Sequence, residues 1–583
     1  MKKSLLIQLF LFSILCPVKS QNDSGLLQSE RIYLHTDRNI YVAGEYLFYK
    51  MYLQDDTDQK SKYAYLILRN ENNSVVTQVR LEINKRVSYG SVLISDTLSS
   101  GLYQLVCYTN LMRNAEETFF RKEIAIVNRF DENPELFTDP VMKSEIDSSL
   151  NESYRYLDTS GSILIHPGKQ VYSPGEKISF SFELKKSHGD EVPDVSISVS
   201  GFLPGLPAEQ SISSYFGTKA EVIHVDQSDI SQYGYIPEFH GSVLQGKVIS
   251  SQQSENTSGL LTNIKPKVQI RNTLLLSTSD SIANLQYTTT DSLGSFCFFL
   301  NPYYEGKELF IRLKEKTNAT IELDEKTNLK KPFNRTREYN IGGLKDYLVR
   351  SGKIVQIQRF YNRRVEIDTQ KAFFPAYTIP RVYSKSYLSI LPSDYVELPD
   401  FIEISREILP SFKVRKNHDK YVSDYSNLLY QTTTNEEPTI FLDGVPIDDV
   451  NQIIKLGSNE IRKIESVPAV RYYGEMSFRG ILSVYSKNNA LRNILFKTPA
   501  IIYQSQLSQC ITMPEQFKPE NIPEHNPDFR QLLFWEPAFT FSGNKSQSIE
   551  CFASDLKGKY RINIQGIMPD GTPVSGSAEI TIK

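Results

Sequence analysis

The stretch Pro438–Val450, PTIFLDGVPIDDV, and its continuation Glu460–Lys487, EIRKIESVPAVRYYGEMSFRGILSVYSK, decide how the chain is read. Thr439 to Leu442 is a short apolar strand, Asp443-Gly444 is a strong turn signal, and Val445 to Ile447 resumes the strand. Asp448-Asp449 can cap a short helix over roughly Val450 to Leu456, because a carboxylate there accepts orphan backbone N–H groups. Ile461 to Val467 and Ile481 to Tyr485 follow as strands, and Gly474 and Gly480 bracket a tight bend. A small α/β unit is expected.

The order FLDGVPIDD, IRKIESV, YYG and RGILSVYSK resembles the plug domain of TonB-dependent outer-membrane receptors of the Bacteroidetes type. The resemblance implies a plug-like domain over 391–490. Its motif residues, Asp443, Gly444, Pro446, Asp448, Tyr473, Gly474 and Gly480, would then meet a partner. A plug sits inside a barrel. Membrane strands take about 9–11 residues each, and large transporters use about 22 of them. Residues 488–583 are too few for that and read as a soluble β domain. The barrel is therefore expected to belong to a partner, an outer-membrane β-barrel or TonB-dependent-receptor-type protein. Association with the membrane would run through that partner rather than through a transmembrane helix.

Outward from this stretch, the 583 residues imply several domains. A net charge of −3 gives no electrostatic footprint for nucleic acid. The 34 Tyr and 31 Phe, set against one Trp, together with 28 Pro and many β-branched runs, favour β-sandwiches. Met1 to Ser20 reads as a secretory signal peptide. Lys2-Lys3 form its charged region, Leu5 to Leu15 its apolar run, and Val18-Lys19-Ser20 its cleavage site. Cys16, between Leu15 and Pro17, fits a lipidation site poorly. The chain is expected to be exported, to the periplasm or cell surface. Export permits disulfides. Cys107 and Cys297 lie in apolar runs and read as buried free thiols, whereas Cys510 and Cys551 share the last module and could pair.

The opening module, 31–128, begins RIYLHTDRNIYVAGEYLFYKMYL, with a strand–turn–strand corner at Val42–Glu45. After an acidic linker over 129–160, the phrase recurs as SILIHPGKQVYSPGEKISFSFEL. At one constant offset His35 aligns with His166, Arg38 with Lys169, Tyr41 with Tyr172, Gly44 with Gly175 and Glu45 with Glu176. Such a repeat marks tandem domains of one fold. The paired histidines stand before equivalent corners in different domains, which argues against a shared metal. Thr36-Asp37-Arg38, Tyr41 and Gly44 resemble the second macroglobulin domain of the α2-macroglobulin family, which gives macroglobulin-like domains over 31–128 and 161–235.

Residues 240–325 differ in character. Gly246, Val248, Thr290, Asp291, Gly294, Phe296 and Phe298 resemble the carboxypeptidase-regulatory-like β-sandwich, a name that does not imply peptidase activity. Phe296 and Phe298 share one strand face and should enter the core. A connection over 326–390 leads to the plug-like unit, which opens with a short helix and strand in ELPDFIEISREILPSFKVRK; Asp419 to Thr434 reads as a loop. The last module, 494–583, carries Trp535, Pro537, Asp555, Gly558, Tyr560, Gly566, Asp570 and Gly571, which resemble a late macroglobulin-like domain; whether part of this module precedes the plug-like unit, with that unit inserted into it, is left open by the sequence. The fold class expected is mainly β: tandem Ig-like/macroglobulin-like sandwiches plus a small α/β plug-like domain.

No catalytic grouping emerges. HExxH, a Cys/His zinc spacing, a P-loop, GxGxxG and GxSxG are all absent. No metal and no cofactor are expected. The thioester of protease-trapping macroglobulins needs Cys-Gly-Glu-Gln, whereas Cys510 is followed by Ile511-Thr512-Met513. The first functional reading is a non-enzymatic envelope scaffold that binds an outer-membrane barrel through its plug-like domain. Alternatives are a macroglobulin-type endopeptidase inhibitor without a thioester, with SSQQSENTSG or the acidic linker as bait, and a surface adhesion or glycan-binding protein.

Overall fold

A computed structural model describes residues 30–54, 61–128, 130–131, 162–185, 192–202, 210–217, 234–239, 241–250, 271–315, 317–327, 329–333, 354, 367–370, 379–427, 432–434, 437–505, 511–514, 528–541 and 546–583. The signal peptide, nearly all of the acidic linker, Cys510 and most of the connection lie outside the described residues. The architecture is mainly β, and among the described residues no helix is long and apolar enough to cross a membrane.

The first sandwich packs a three-stranded sheet (Arg31–Thr36, Tyr46–Gln54, Val87–Leu93) on a five-stranded one. The latter runs Ile40–Val42, Phe120–Val127, Gly101–Thr109, Tyr63–Asn70, Val75–Glu82. Its core is rich in tyrosine: the rings of Tyr33, Tyr52, Tyr65 and Tyr108 are buried. Each hydroxyl reaches another part of the chain: Gln210 O (2.6 Å), Gln565 O (2.7 Å), Glu238 (2.8 Å) and Lys326 O respectively. A buried phenol needs such a partner, so the tyrosines both fill this sandwich and fasten its neighbours.

The second sandwich repeats that topology strand for strand. Ile163–Pro167, Lys177–Leu184 and Gln547–Phe552 form its three-stranded sheet. Val171–Tyr172, Pro573–Ile582, Gly558–Ile567, Asp194–Gly201 and Leu532–Thr540 form its five-stranded sheet. The sequence reading placed separate domains over 161–235 and 494–583; their strands instead share one core, with Val195, Ile197 and Val199 packed beside Ile562 and Ile564. In the first sandwich the fourth and fifth strands are joined by residues 71–74. In the second, residues 202–531 fill the same position.

The corner repeat has the same hydrogen bonds in both copies. Tyr41 Oη accepts from Arg38 N (3.4 Å), and Tyr172 Oη from Lys169 N (2.9 Å). Glu45 accepts from Val42 N (3.0 Å) and Glu176 from Ser173 N (2.8 Å). Gly44 and Gly175 take φ of 94° and 73°, a region that disfavours any Cβ.

The inserted segment is itself nested. A third sandwich packs Ser295–Leu300, Ser242–Ser250 and Ala319–Leu323 against Gln286–Thr289, Thr273–Thr278, Glu308–Leu313 and Ala500–Gln504. Phe296 and Phe298 enter its core, and Asp291 closes the expected turn by accepting from Leu293 N and Ser295 N (both 2.8 Å). Between its strands Ala319–Leu323 and Ala500–Gln504 the chain makes the α/β unit, so that unit is inserted into a sandwich that is inserted into another.

Candidate functional site

The α/β unit has its own core. The strands Leu388–Ile390, Ile461–Tyr473, Met476–Ser486, Thr439–Leu442 and Val445–Pro446 form one sheet, in which Thr439–Leu442 runs parallel to Met476–Ser486. The helix Phe401–Glu407, capped by Asp400 accepting from Glu403 N (2.9 Å), buries Phe401 and Ile404 against Ile440, Leu442, Ile464, Leu482 and Val484. That spacing is the apolar stripe of a short amphipathic helix.

Asp419 to Thr434 is not a loop: Lys420–Asn427 is a strand paired with Phe412–Asn417, and Tyr425 is buried. The expected helix after Asp448-Asp449 is one 3-10 turn, Val450–Gln452, closed by a capping box between Asp449 and Gln452. Partial burial raises the Asp449 carboxyl, but hydrogen bonds from Lys497 and Asn451 outweigh it and hold the group below its ordinary range.

Five of the seven motif residues, Asp443, Gly444, Asp448, Tyr473 and Gly474, meet the third sandwich, whereas Pro446 and Gly480 pack within the α/β unit. Asp443 and Gly444 make the hairpin turn, with φ of 47° and 88°. The Asp443 carboxylate is buried and accepts from Ser486 N (2.6 Å) and Ser486 Oγ (2.7 Å). The backbone of the turn accepts from Asp280 N (2.9 Å) and Asn284 N (3.2 Å) of the third sandwich. Pro446 is buried beside Phe441 in the same hairpin. Asp448 pairs with Arg312 of the third sandwich at 2.9 Å, both side chains nearly sealed from water. Tyr473 donates to Leu285 O (2.5 Å), and Gly474 sits so near Tyr287 that a Cβ would lie 2.1 Å from its hydroxyl.

Gly474 lies at the hairpin tip, as expected, but Gly480 does not bracket the bend. It stands inside Met476–Ser486 with φ of 114°, at a register shift opposite Pro468-Ala469. The Tyr425 ring lies against it, with Cγ 3.0 Å from where a Cβ would be. A bulge with glycine is what such a close approach requires.

Further ties were not read from sequence. Tyr383 donates to Glu465 (2.7 Å) and accepts from Ser483 Oγ (2.8 Å), and Tyr485 Oη accepts from Ala283 N (3.2 Å). Phe441, Val467, Met476, Phe478 and Ile481 share an apolar cluster with Leu275, Ala283 and Leu285. The other face of the hairpin pairs Val470 with Arg479 and Tyr472 with Ser477, and all four are exposed. Val470 is 42% and Tyr472 80% accessible. The only signal for this in sequence was the alternation of RYY with SFR.

Burial raises the thiols of Cys107, Cys297 and Cys551, the last two to about 11 and about 12, so they stay protonated at neutral pH. Among the described residues no group of three His, Cys, Asp or Glu is placed to hold a metal.

The fold and this seat define a mainly β protein of nested sandwiches carrying a small α/β unit. No family model and no curated protein matches the chain. Among solved structures it is similar to Salmonella alpha-2-macroglobulin reacted with methylamine, at 9% identity and TM-score 0.23 over 95% of this chain and 39% of that one. It is also similar to trypsin-activated alpha-2-macroglobulin from Escherichia coli, at 10% identity and TM-score 0.22 over 95% of this chain and 41% of that one. The Escherichia coli adhesin FdeC matches at 11% identity and TM-score 0.14, over 31% of this chain and 50% of that one. The chain thus spans about two fifths of the length of these macroglobulins. Likenesses at these TM-scores say nothing of activity.

Proposed function

We propose that the chain is a non-enzymatic, exported envelope scaffold whose macroglobulin-like sandwiches hold a plug-like α/β unit towards an outer-membrane β-barrel partner. The observation that supports this reading is the seating of the unit. It has a core of its own, yet Asp443, Asp448, Tyr473 and Gly474 clamp it to the third sandwich. Its orientation is therefore set by the sandwiches rather than by a flexible tether.

The motif residues are engaged inside the chain, so partner contact is assigned to the opposite face, around Val470 and Tyr472. An exposed hairpin carrying apolar and aromatic side chains suits addition of a strand or docking against a barrel rim. Tyr is favoured at such contacts because its ring is apolar and its hydroxyl tolerates water.

The test is capture from solubilised outer membranes with the wild-type chain and a Val470→Ser/Tyr472→Ser variant. Identification of a β-barrel protein with the first and its loss with the second is expected. Equal capture by both, or protease trapping without any barrel protein, would overturn the reading in favour of adventitious binding or an inhibitor.

A further inference from the structure

Along Asp194–Gly201 the side chains alternate. Val195, Ile197 and Val199 enter the second core, and Ser196, Ser198 and Ser200 point the other way. Those serines are buried too, because the first sandwich covers them. His35 lies among them, 0% exposed.

The hydrogen bonds around His35 determine its tautomer. The backbone N–H of Ile212 donates to Gln565 Oε1 (2.8 Å), which orients the Gln565 amide. Gln565 Nε2 then donates to Asn563 Oδ1 (2.6 Å), which leaves the Asn563 NH2 facing His35 Nε2 at 3.3 Å. An amide nitrogen only donates, so Nε2 must be a bare acceptor. The remaining proton sits on Nδ1, which donates to Ser196 Oγ (2.6 Å). Ser196 and Tyr52 are within 2.7 Å of each other, and Tyr52 donates to Gln565 O (2.7 Å). Ser198 Oγ lies 3.3 Å from Nε2. Turning the Asn563 amide over would break its bond to Gln565, and turning Gln565 would leave the buried Ile212 N–H unpaired.

The charged groups nearby act in the same sense. Burial, then the ammonium groups of Lys122 and Lys50, disfavour a protonated ring. Lys122 donates to Thr36 Oγ1 (2.6 Å), beside His35. The carboxylates are occupied elsewhere: Asp194 pairs with Lys50 at 2.5 Å, Glu536 lies beside Lys50, and Asp37 accepts from Tyr41 (2.8 Å), Phe48 N (3.0 Å) and Arg38 (3.0 Å). Arg561 pairs with Glu579 at 3.1 Å, and the Trp535 ring packs at 5.3 Å from the imidazole.

We propose that the joint between the first and second sandwiches is a proton-operated latch, closed while His35 is neutral and loosened in acid when His35 must become a donor at both ring nitrogens. One proton taken up on opening makes the opening equilibrium rise about tenfold per pH unit below the free imidazole value of about 6.5.

Hydrogen exchange of the full chain between about pH 7.5 and about pH 5, corrected for intrinsic rates, tests it. Peptides from 31–54, 194–201 and 558–567 should lose protection together, while 461–486 should not. His35→Gln, neutral at every pH, should abolish the acid loosening. Asn563→Asp, which places an acceptor opposite Nε2, should abolish or reverse it. Acid loosening unchanged in Asn563→Asp would overturn the proposal, whether or not His35→Gln folds. So would nitrogen spectra of the labelled ring showing a protonated Nε2 at neutral pH.

Discussion

Tyr172 pairs in parallel register with Ile582, as Tyr41 pairs with Ile126. Each tyrosine sits at the corner of its sandwich and each isoleucine in that sandwich's last strand. The two sandwiches are therefore copies of one fold, and the second copy is completed only by the final residues of the chain. Its stability depends on strands that flank the whole insertion.

A first expectation follows for Ile562, which is buried and pairs with Val199. Ile562→Ala should cost about 2–5 kcal/mol, the usual range for a buried Ile truncated to Ala. Hydrogen exchange should then show 177–184 and 194–201 losing protection together with 558–567. Independent loss in the last strands alone would mean that two domains, not one, occupy this part of the chain.

The turn that seats the α/β unit should be intolerant of change. Gly444→Ala puts a Cβ 2.7 Å from Ile282 O at a φ of 88°. Asp443→Ala leaves the buried Ser486 N–H without its acceptor, a loss of about 1–3 kcal/mol. Asp443→Asn, which retains an acceptor oxygen and tolerates positive φ, should lose less. Limited proteolysis should show the α/β unit loosening from the third sandwich in the first two variants and not in the third.

Lys326 and Glu238 form a buried pair at 2.5 Å between the first and third sandwiches. Burial lowers the Lys326 ammonium to about 8, against the pull of Glu238. Lys326→Met should cost about 3–5 kcal/mol, since it strands a buried carboxylate, whereas Lys326→Met with Glu238→Gln should be close to neutral. Denaturant unfolding of the single and double variants gives the comparison. Equal losses in both would place the effect in packing rather than charge.

Asp37 provides a pH signature. Burial raises its carboxyl to about 6, despite Arg38, Tyr41 and the Phe48 N–H. The folded state therefore holds this proton more tightly than the unfolded state. Its contribution is full below the unfolded value of about 3.9 and is lost as the pH rises through about 6. Asp37→Asn should remove that slope from the stability curve between those values. An unchanged slope would mean that the hydrogen bonds to Asp37 outweigh its burial.

Much of this was readable because its causes are local. The Tyr41/Tyr172 and Glu45/Glu176 corners are made by hydrogen bonds spanning three residues, and the Asp443-Gly444 turn by two residues that accept positive φ. The rest depends on partners far along the chain. Nothing near Val195 shows that Gly566 will pair with it, so one sandwich was read as two. Lys420–Asn427 escaped notice because buried Ser423 interrupts the apolar alternation. Asp443, Asp448 and Tyr473 were recognised as a set, but which face a neighbouring sandwich would cover is decided by Arg312, Asn284 and Leu285, and no motif includes those.

The central claim is that the sandwiches hold the α/β unit so that its Val470–Tyr472 face meets a barrel. The most direct measurement replaces Tyr472 with a photoreactive residue in intact cells and, as a control, replaces Leu293, which is exposed at a turn of the third sandwich. A light-dependent adduct with an outer-membrane β-barrel protein is expected from position 472 and none from 293. No barrel adduct from 472, or the same adducts from both positions, would contradict it.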